Sequence, residues 1–349
     1  EEKMNLTQKL ATEFNLSPTY AANIVNLIEE GNTIPFIARY RKEMHGNCDD
    51  QVLREFSDRL TYLKNLEKRK DEIRKSISEQ GKMTEELELA IAAAETMTEV
   101  EDLYRPYKQK KKTRATMAIA KGLEPLADRM EKQEDRTGDI IEIASAFVGE
   151  DKGVSTSEEA LAGARDIIAE RISDNAALRK KLRNIFLKTG EISSKLIKEG
   201  EEAKTYEMYA EYSEPVCEVK SHRVLALNRG EDTGYLRVKV EIDKAFAGRI
   251  CAASAVKEGS IFTEQVRAAA ADSYDRLIAP SMEREIRSYL TEQASEQAIK
   301  MFEVNLKPLL MQPPLKGKVV LGFDPAYRTG CKLAVVDETG KVLYKTVIY

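Results

Sequence analysis

The stretch DDQVLREFSDRLTYLKNLEKRKDEIRKSISEQ, residues 49–80, decides the fold of the N-terminal part of the chain. Apolar side chains recur in it every three or four residues, which is the period of one face of an α-helix. They are Leu53, Phe56, Leu60, Leu63, Leu66, Ile73 and Ile77. Gly81 follows as a stop signal. The pattern predicts one helix about 45 Å long, the spine helix, against which other helices pack.

Two shorter helices are predicted before the spine helix. The first carries Leu10 and Phe14 one turn apart. A break follows, where Ser17 suits the N-cap and Pro18 the first position of a second helix. Gly31 ends this second helix. Two short helices across a tight turn are typical of a helix-turn-helix. An ordinary helical hairpin has the same pattern, so both interpretations stay open.

The segment TIPFIARYRKE, residues 33–43, combines an apolar and a cationic face. On a helical wheel the apolar face consists of Phe36, Ile37, Tyr40 and the following Met44. Arg39 and Lys42 fall on the opposite face, and Arg41 lies on the flank. We expect a packed helix that presents its cations to phosphate groups. A solvated charged face without a ligand is the alternative.

Residues 104–114, YRPYKQKKKTR, form a segment that we call the basic loop. It holds six Lys or Arg residues and no acidic residue, and Pro106 interrupts any helix there. Such cations pair with phosphates, and Tyr104 and Tyr107 are able to stack on bases. An exposed loop is therefore predicted. A loop that is only solvated, or that binds an acidic face of its own protein, fits the composition equally well.

These two segments supply the candidate nucleic-acid-binding residues. They are Arg39, Arg41, Lys42, Arg105, Lys108, Lys110, Lys111, Lys112 and Arg114. The whole chain carries a formal net charge of −4, so any contact with a polyanion is expected to be local. Contacts to the phosphate backbone carry little sequence information. We therefore expect RNA or DNA to be bound with low sequence specificity.

Two regions depart from the helical period. Residues 222–242 contain two runs that alternate with period two around the turn EDTG, which predicts a small β-hairpin. Residues 316–349 follow a Pro-Pro pair and read as three short strands, the first of which ends in Asp324. Because three strands cannot bury their own faces, we expect this segment to be the truncated start of a larger domain.

Asp324 is the one conspicuous acidic motif. An Asp at the end of a first strand is how RNase H-like nucleases place a metal-binding carboxylate, but two-metal phosphoryl transfer needs several converging carboxylates. A strand-end Asp also commonly caps a turn. We therefore predict no metal site and no confident catalytic residue, and keep Asp324 only as a candidate metal-binding carboxylate.

Other chemistry is not indicated by the motifs. The chain shows no P-loop, no Gly-rich dinucleotide fingerprint and no nucleophile elbow. Four widely spaced cysteines with two histidines, His45 and His222, do not predict a zinc site or a disulfide framework. We expect both histidines at the surface or in caps. No apolar run reaches bilayer length, and a cytoplasmic protein without a cofactor is predicted.

Seven segments resemble, in fixed order, the Tex family of bacterial transcription accessory proteins. They are TIPFIARYRKE (33–43), YRPYKQKKKTRATMAIAKGLEPLA (104–127), GARDIIAERI (163–172), YSEP (212–215), SHRVLALNRGE (221–231), APSMEREIRSYLTEQA (279–294) and VLGFDPAYRTGCKLAVVD (320–337). The resemblance implies a helical N-terminal region with a helix-turn-helix, followed by an RNase H-like YqgF domain. Helix-hairpin-helix modules and a C-terminal RNA-binding domain would come after it.

The resulting prediction is a mainly α, multi-helix fold with a small β-hairpin, followed by the start of an α/β RNase H-like domain. Residues 1–80 would form the helix-turn-helix-like segment and the spine helix. Residues 81–315 would form a helical region that carries the basic loop and the hairpin at 222–242. Residues 316–349 would supply the first strands of the YqgF domain, in which Asp324 fits the first acidic position.

The expected function is that of a nucleic-acid-binding transcription accessory factor that acts as a scaffold and is not an enzyme. Two alternatives stay open. The full-length protein would be a metal-dependent nuclease that uses Asp324, or the helices would chiefly dock proteins such as RNA polymerase.

Overall fold

The computed structural model describes residues 2–110, 112–149, 153–313 and 315–349. The chain divides into two compact units, each made of two segments. The first unit comprises Glu1–Gly190 and Glu241–Glu283, and the second comprises Glu191–Val240 and Arg284–Tyr349. Helices dominate, as the sequence predicted, and the described strands form two small sheets. Within the described ranges, no helix has both the length and the apolar character needed to cross a bilayer.

The first unit begins with helices around the spine. These are α1 (Glu2–Glu13), α2 (Pro18–Glu29), α3 (Ile34–Tyr40), a 3-10 turn (Lys42–Met44) and the spine helix α4 (Asp50–Glu79). The Asp49 side chain caps α4 by accepting a hydrogen bond from the Val52 backbone N–H at 2.8 Å. All seven apolar positions read from the sequence are buried in α4. The predicted spine is confirmed, and α1, α2 and α3 pack on it.

The rest of the first unit includes a second long helix, α10 (Ser157–Ser173). The other elements of its first segment are α5 (Glu85–Ala93), α6 (Met97–Tyr104), a 3-10 turn (Arg105–Tyr107), α7 (Arg114–Ala120), α8 (Glu124–Lys132), α9 (Ile140–Ser145) and α11 (Ala176–Thr189). Its second segment contains α13 (Lys244–Ala255), α14 (Thr263–Asp272), a π-helical turn (Ser273–Ile278) and the start of α15 (Ala279–Leu310). Gly163 of α10 allows a close approach, since a Cβ there would lie 2.3 Å from Leu123.

The second unit contains a three-stranded sheet and a helix that the sequence did not predict. The elements are β1 (Glu191–Leu196), a 3-10 helix (Glu202–Tyr209), β2 (Glu211–Pro215), α12 (Ser221–Asp232) and β3 (Leu236–Glu241), with strand order β2-β1-β3. The predicted hairpin at 222–242 is wrong, because its first half is α12. Its second half is β3, which pairs with β1 rather than with the preceding run.

Packing explains why residues 221–232 are helical. Val224, Leu227 and Gly230 are buried at intervals of three, which is a helical face. Gly230 lies so close to the residue after the turn that a Cβ would approach Leu236 within 2.5 Å. The apparent alternation in this run was a coincidence of composition, whereas β3 does alternate between buried and exposed residues.

Residues 320–348 form the predicted three strands. They are β4 (Val320–Asp324), β5 (Cys331–Val336) and β6 (Val342–Ile348), antiparallel in the order β4-β5-β6. Asp324 ends β4 and pairs in register with Lys332. Large apolar side chains remain exposed on this sheet, among them Phe323, which is 56% exposed, and Tyr344, which is 63% exposed.

Candidate nucleic-acid interface

The short helix α3 presents aromatic rings to solvent rather than to the core. Thr33 occupies the N-cap position, Pro35 starts the first turn, and Ile37 is the one fully buried side chain of the described helix. Phe36 and Tyr40 are 36% and 63% exposed. The expectation that both rings lie on a packed face is therefore wrong. A helix of seven residues meets α4 through a narrow stripe, and the rings on its flank remain outside.

Two rings and three cations lie within seven consecutive residues, 36–42, and we call these five residues the α3 patch: Phe36, Arg39, Tyr40, Arg41 and Lys42. The ring centroids of Phe36 and Tyr40 lie 5.3 Å apart at an angle of 44°. The Arg41 guanidinium lies 5.3 Å from the Phe36 centroid. In the described part of the chain, none of the three cations pairs with a carboxylate, and the adjacent Glu43 is also without an ion pair.

A buried histidine holds the patch in place. His45 is 0% exposed, so the expectation that it lies at the surface or in a cap is wrong. Its Nε2 lies 3.2 Å from the Ile37 carbonyl oxygen. Because a carbonyl can only accept, Nε2 is the protonated donor nitrogen. Asn23 of α2 donates to the Met44 carbonyl at 3.0 Å, which ties the turn after α3 to its neighbour.

The basic loop is largely not the free loop that the sequence predicted. Arg105 Nε lies 3.2 Å from Asp174 Oδ1. Lys110 Nζ lies 3.0 Å from Glu170 Oε1 and also forms a short ion pair with Asp174. Asp174 follows the C-terminus of α10 and is only 7% exposed. The loop therefore binds an acidic face of its own protein, which was one of the alternatives that the sequence left open.

This contact has an electrostatic cost for Asp174. Burial raises the pKa of its carboxyl above the ordinary value, against the opposing effect of Lys110 and Arg105. Nearby Glu170 adds a like charge that acts in the same direction as burial. The two cations are thus used to stabilise a buried carboxylate. We therefore remove Arg105 and Lys110 from the candidate phosphate contacts.

The two tyrosines of the basic loop are only partly exposed. Tyr104 and Tyr107 are partly buried against the core around α4. The Tyr104 hydroxyl lies 3.0 Å from Ser76 Oγ, and the Arg69 guanidinium lies 5.7 Å from the Tyr104 ring centroid. This packing argues against the expectation that Tyr104 and Tyr107 stack on bases.

The remaining cations of the loop differ in their surroundings. Lys108, Lys112 and Arg114 are exposed. Lys108 and Lys112 have no carboxylate partner among the residues described. Arg114 begins α7 close enough to Asp166 to oppose the raised pKa of that carboxyl, which burial causes. Lys111 lies outside the described residues.

The helical hairpin at the N-terminus lacks the charge of a DNA-reading helix. Ser17 Oγ accepts a hydrogen bond from the Tyr20 N–H at 3.2 Å, as its predicted N-cap role requires. The helix that follows, α2, contains no Lys or Arg and ends at Glu29. Since recognition helices contact bases and phosphates mainly through cations and amides, the α3 patch is the stronger candidate in this region.

Asp324 stands without partners for metal chemistry in the described part of the chain. It is exposed at the end of β4, opposite Lys332. Across the described ranges, no three His, Cys, Asp or Glu side chains converge to hold a metal ion. The sequence did not predict that the rings of Phe36 and Tyr40 are exposed. The available signal was the short length of α3, which has Pro35 in its first turn and is followed by the turn at Lys42.

Comparison with known families matches three consecutive segments. Residues 4–78 match the Tex-like protein N-terminal domain, residues 135–302 match the Tex central region-like model, and residues 318–349 match the Tex protein YqgF-like domain. The order is the one expected from the sequence motifs.

Curated relatives resemble the chain along nearly its whole length. Identity is 48% with the Bacillus subtilis protein YdcI, over 99% of this chain and 48% of that protein. It is 36% with the transcriptional accessory protein Tex of Neisseria gonorrhoeae, over 99% of this chain and 46% of that protein. It is 32% with human S1 RNA-binding domain-containing protein 1, over 100% of this chain and 36% of that protein.

The chain thus spans about half the length of the bacterial relatives and about a third of the human one. The three matched segments occur in the order of the family's own N-terminal, central and YqgF-like parts. On these grounds the chain belongs to the Tex family.

Proposed function

We propose that this chain is the nucleic-acid-binding, non-catalytic portion of a transcription accessory protein and acts as a scaffold. The names of two relatives, a transcriptional accessory protein and an S1 RNA-binding domain-containing protein, support a role with nucleic acid in transcription. The chain covers only part of each relative, so the activity of the whole protein is part of the proposal.

The observation that carries the proposal is the unpaired charge of the α3 patch. Elsewhere on the described surface, arginines such as Arg59, Arg69 and Arg171 are each paired with one or more carboxylates. Arg39, Arg41 and Lys42 are close together in sequence and have no such partner in the described part of the chain. Cations that are not neutralised within the protein are free to replace the counterions of a phosphate backbone.

The set of phosphate contacts is therefore narrower than the sequence predicted. The proposal keeps Arg39, Arg41 and Lys42, with the exposed Lys108, Lys112 and Arg114 of the basic loop as weaker contributors. Lys111, which lies outside the described residues, stays a candidate. Such contacts do not read base edges, so little sequence preference is expected.

The test is a salt titration of binding to a labelled oligonucleotide. The variant Arg39→Gln/Arg41→Gln/Lys42→Gln should reduce the slope of log K against log salt by about 2 on a single strand, since each lost contact removes about 0.7. A charge-matched control, Arg54→Gln/Lys64→Gln/Arg267→Gln, neutralises three exposed cations that are already paired with carboxylates and should leave the slope nearly unchanged.

Equal slopes in both triple variants would remove the α3 patch from the proposal. If the α3 variant also lost a protein partner such as RNA polymerase in pull-down while binding oligonucleotides normally, protein docking would replace nucleic-acid binding as the function of this surface.

The proposed absence of catalysis is tested separately in the full-length protein. Asp324→Asn should leave RNA and DNA intact to the same extent as the unaltered protein in Mg²⁺ or Mn²⁺, because a lone carboxylate does not support two-metal chemistry. Metal-dependent cleavage that Asp324→Asn abolishes would contradict the proposal and support the nuclease alternative.

A further inference from the structure

Two adjacent aromatic rings lie in solvent beside the cations of α3. Tyr40 is 63% exposed and Phe36 is 36% exposed, at a centroid separation of 5.3 Å. Aromatic side chains contribute most when their large apolar area is covered. Rings left open on a cationic surface are a feature of proteins that stack bases while holding the phosphate backbone.

We propose that the α3 patch binds single-stranded nucleic acid by stacking an unpaired base on Tyr40, with Phe36 supporting that ring and Arg39, Arg41 and Lys42 contacting the flanking phosphates. This inference rests on the proposed function, since it uses the same patch and names its ligand. It goes further in selecting unpaired over paired strands.

Single strands fit the patch better than a duplex for a geometric reason. In a duplex the faces of the bases are covered by their neighbours, so an aromatic ring on the protein surface meets only backbone and base edges. In a single strand, loop or bulge the base faces are free and stack on aromatic side chains. Tyr40 projects from a surface helix and has the exposure that such stacking needs.

Charge favours a polyanion over an apolar protein partner. A protein that covered both rings with apolar side chains would also have to desolvate the neighbouring cations, which is unfavourable without paired carboxylates. Residues 33–43 carry three cations and one acid, Glu43, so this stretch of the chain has an excess of positive charge. An acidic protein surface is the competing ligand, and the experiment below separates it from nucleic acid.

The patch is also held in a defined position before any ligand binds. The Arg41 guanidinium lies over the Phe36 ring at 5.3 Å and donates to the Tyr40 carbonyl at 3.3 Å. Buried His45 anchors the helix from below through the Ile37 carbonyl. Because the backbone of the patch is already ordered, less conformational entropy is lost on binding.

The first test compares two substitutions of one residue. Tyr40→Phe keeps the ring and should bind oligo(U) and oligo(dT) as the unaltered chain does. Tyr40→Leu keeps an apolar side chain without a ring and should weaken binding to both by about tenfold, with little change on a hairpin duplex of equal charge. Since Tyr40 is mostly exposed, both variants should fold, as circular dichroism would verify.

The second test uses the absence of tryptophan from the chain. Tyr40→Trp introduces a single reporter whose fluorescence should be quenched when oligo(U) or oligo(dT) binds, and should change little with the duplex. Tyr289→Trp places a single reporter on α15, at a residue that is 47% exposed, and should show no quenching. The oligo(U) and oligo(dT) arms show whether RNA or DNA is the better ligand.

The outcomes separate this inference from the proposed function. If neutralising the three cations flattens the salt slope but the fluorescence of the Tyr40→Trp variant does not respond at saturation, phosphate binding stands and base stacking is wrong. If Tyr40→Leu loses an acidic protein partner and keeps its affinity for oligonucleotides, the ligand is a protein. If the cation variant has no effect on any oligonucleotide, both the proposed function and this inference are wrong.

Discussion

Arg179 Nε donates a hydrogen bond to Asp102 Oδ1 over 2.8 Å, and both side chains are almost completely buried. Arg183 Nη2 reaches the other oxygen of Asp102 at 2.6 Å, and Arg179 also donates to Ser281 Oγ at 3.0 Å. The network joins α6 to α11 and to the start of α15, all within the first unit. Breaking such a pair leaves a buried charge uncompensated.

We therefore expect Asp102→Ala to lower the free energy of unfolding by about 3–5 kcal/mol. Urea denaturation followed by circular dichroism measures the change. The control is Lys180→Gln, which removes the nearby exposed pair with Glu99 and should cost no more than about 1 kcal/mol. Equal losses in the two variants would show that burial does not set the strength of the Asp102 network.

The cations of the basic loop should separate into two classes. Lys110 is held by Glu170 and Asp174, whereas Lys112 is exposed and has no carboxylate partner among the described residues. Lys110→Gln should reduce stability and leave the salt slope of nucleic-acid binding unchanged. Lys112→Gln should reduce the slope by about 0.7 on a single strand and leave stability unchanged. The reverse assignment would mean that Lys110 leaves its carboxylates to bind phosphate.

Glu13 should contribute stability that disappears in acid. Hydrogen bonding from Arg59, at 2.7 and 2.8 Å, holds the pKa of Glu13 below its ordinary value of 4.5. For a carboxyl with a lowered pKa, the stabilisation is present above the pKa of the unfolded chain and is lost as pH falls through the folded value.

The corresponding measurement is the unfolding free energy of Glu13→Gln against the unaltered chain as a function of pH. Because both partners are about one-third exposed, the difference at neutral pH should be at most about 1 kcal/mol, and it should vanish well below about pH 4. Glu296→Gln, which changes an exposed carboxylate on α15, serves as the control. A difference that persists in strong acid would show that the effect of Glu13 is not electrostatic.

Two cysteines should differ sharply in reactivity. Cys251 is 0% exposed, and burial raises the pKa of its thiol to about 11. Cys217 is exposed. Since the thiolate is the reactive species, an aromatic disulfide reagent should label Cys217 in the folded chain and reach Cys251 only on unfolding. Mass spectrometry of labelled peptides, with Cys251→Ser as reference, reports both rates. Rapid labelling of Cys251 in the folded protein would contradict the burial of its thiol.

The fold follows from the sequence wherever a periodic pattern is long. The seven apolar residues of α4 all reach the core, and the strand run that ends in Asp324 forms the first strand of its sheet. The prediction of a strand at residues 221–232 is wrong because the spacing of Val224, Leu227 and Gly230, which is that of a helical face, coincides with an apparent alternation. In the structure these three residues are buried on one face of α12, and Gly230 lies close to Leu236.

The sequence by itself determined that the chain is mainly helical, that it belongs with the Tex family, and that cations cluster near residues 39–42 and 105–114. Only the tertiary structure decided which cations remain available. Lys110 meets Asp174, 64 residues away, whereas Arg39 and Lys42 meet no carboxylate in the described part of the chain. The physical reason is that a short stretch of sequence shows which charges it carries, whereas ion pairing and burial depend on distances between segments that are far apart in the chain.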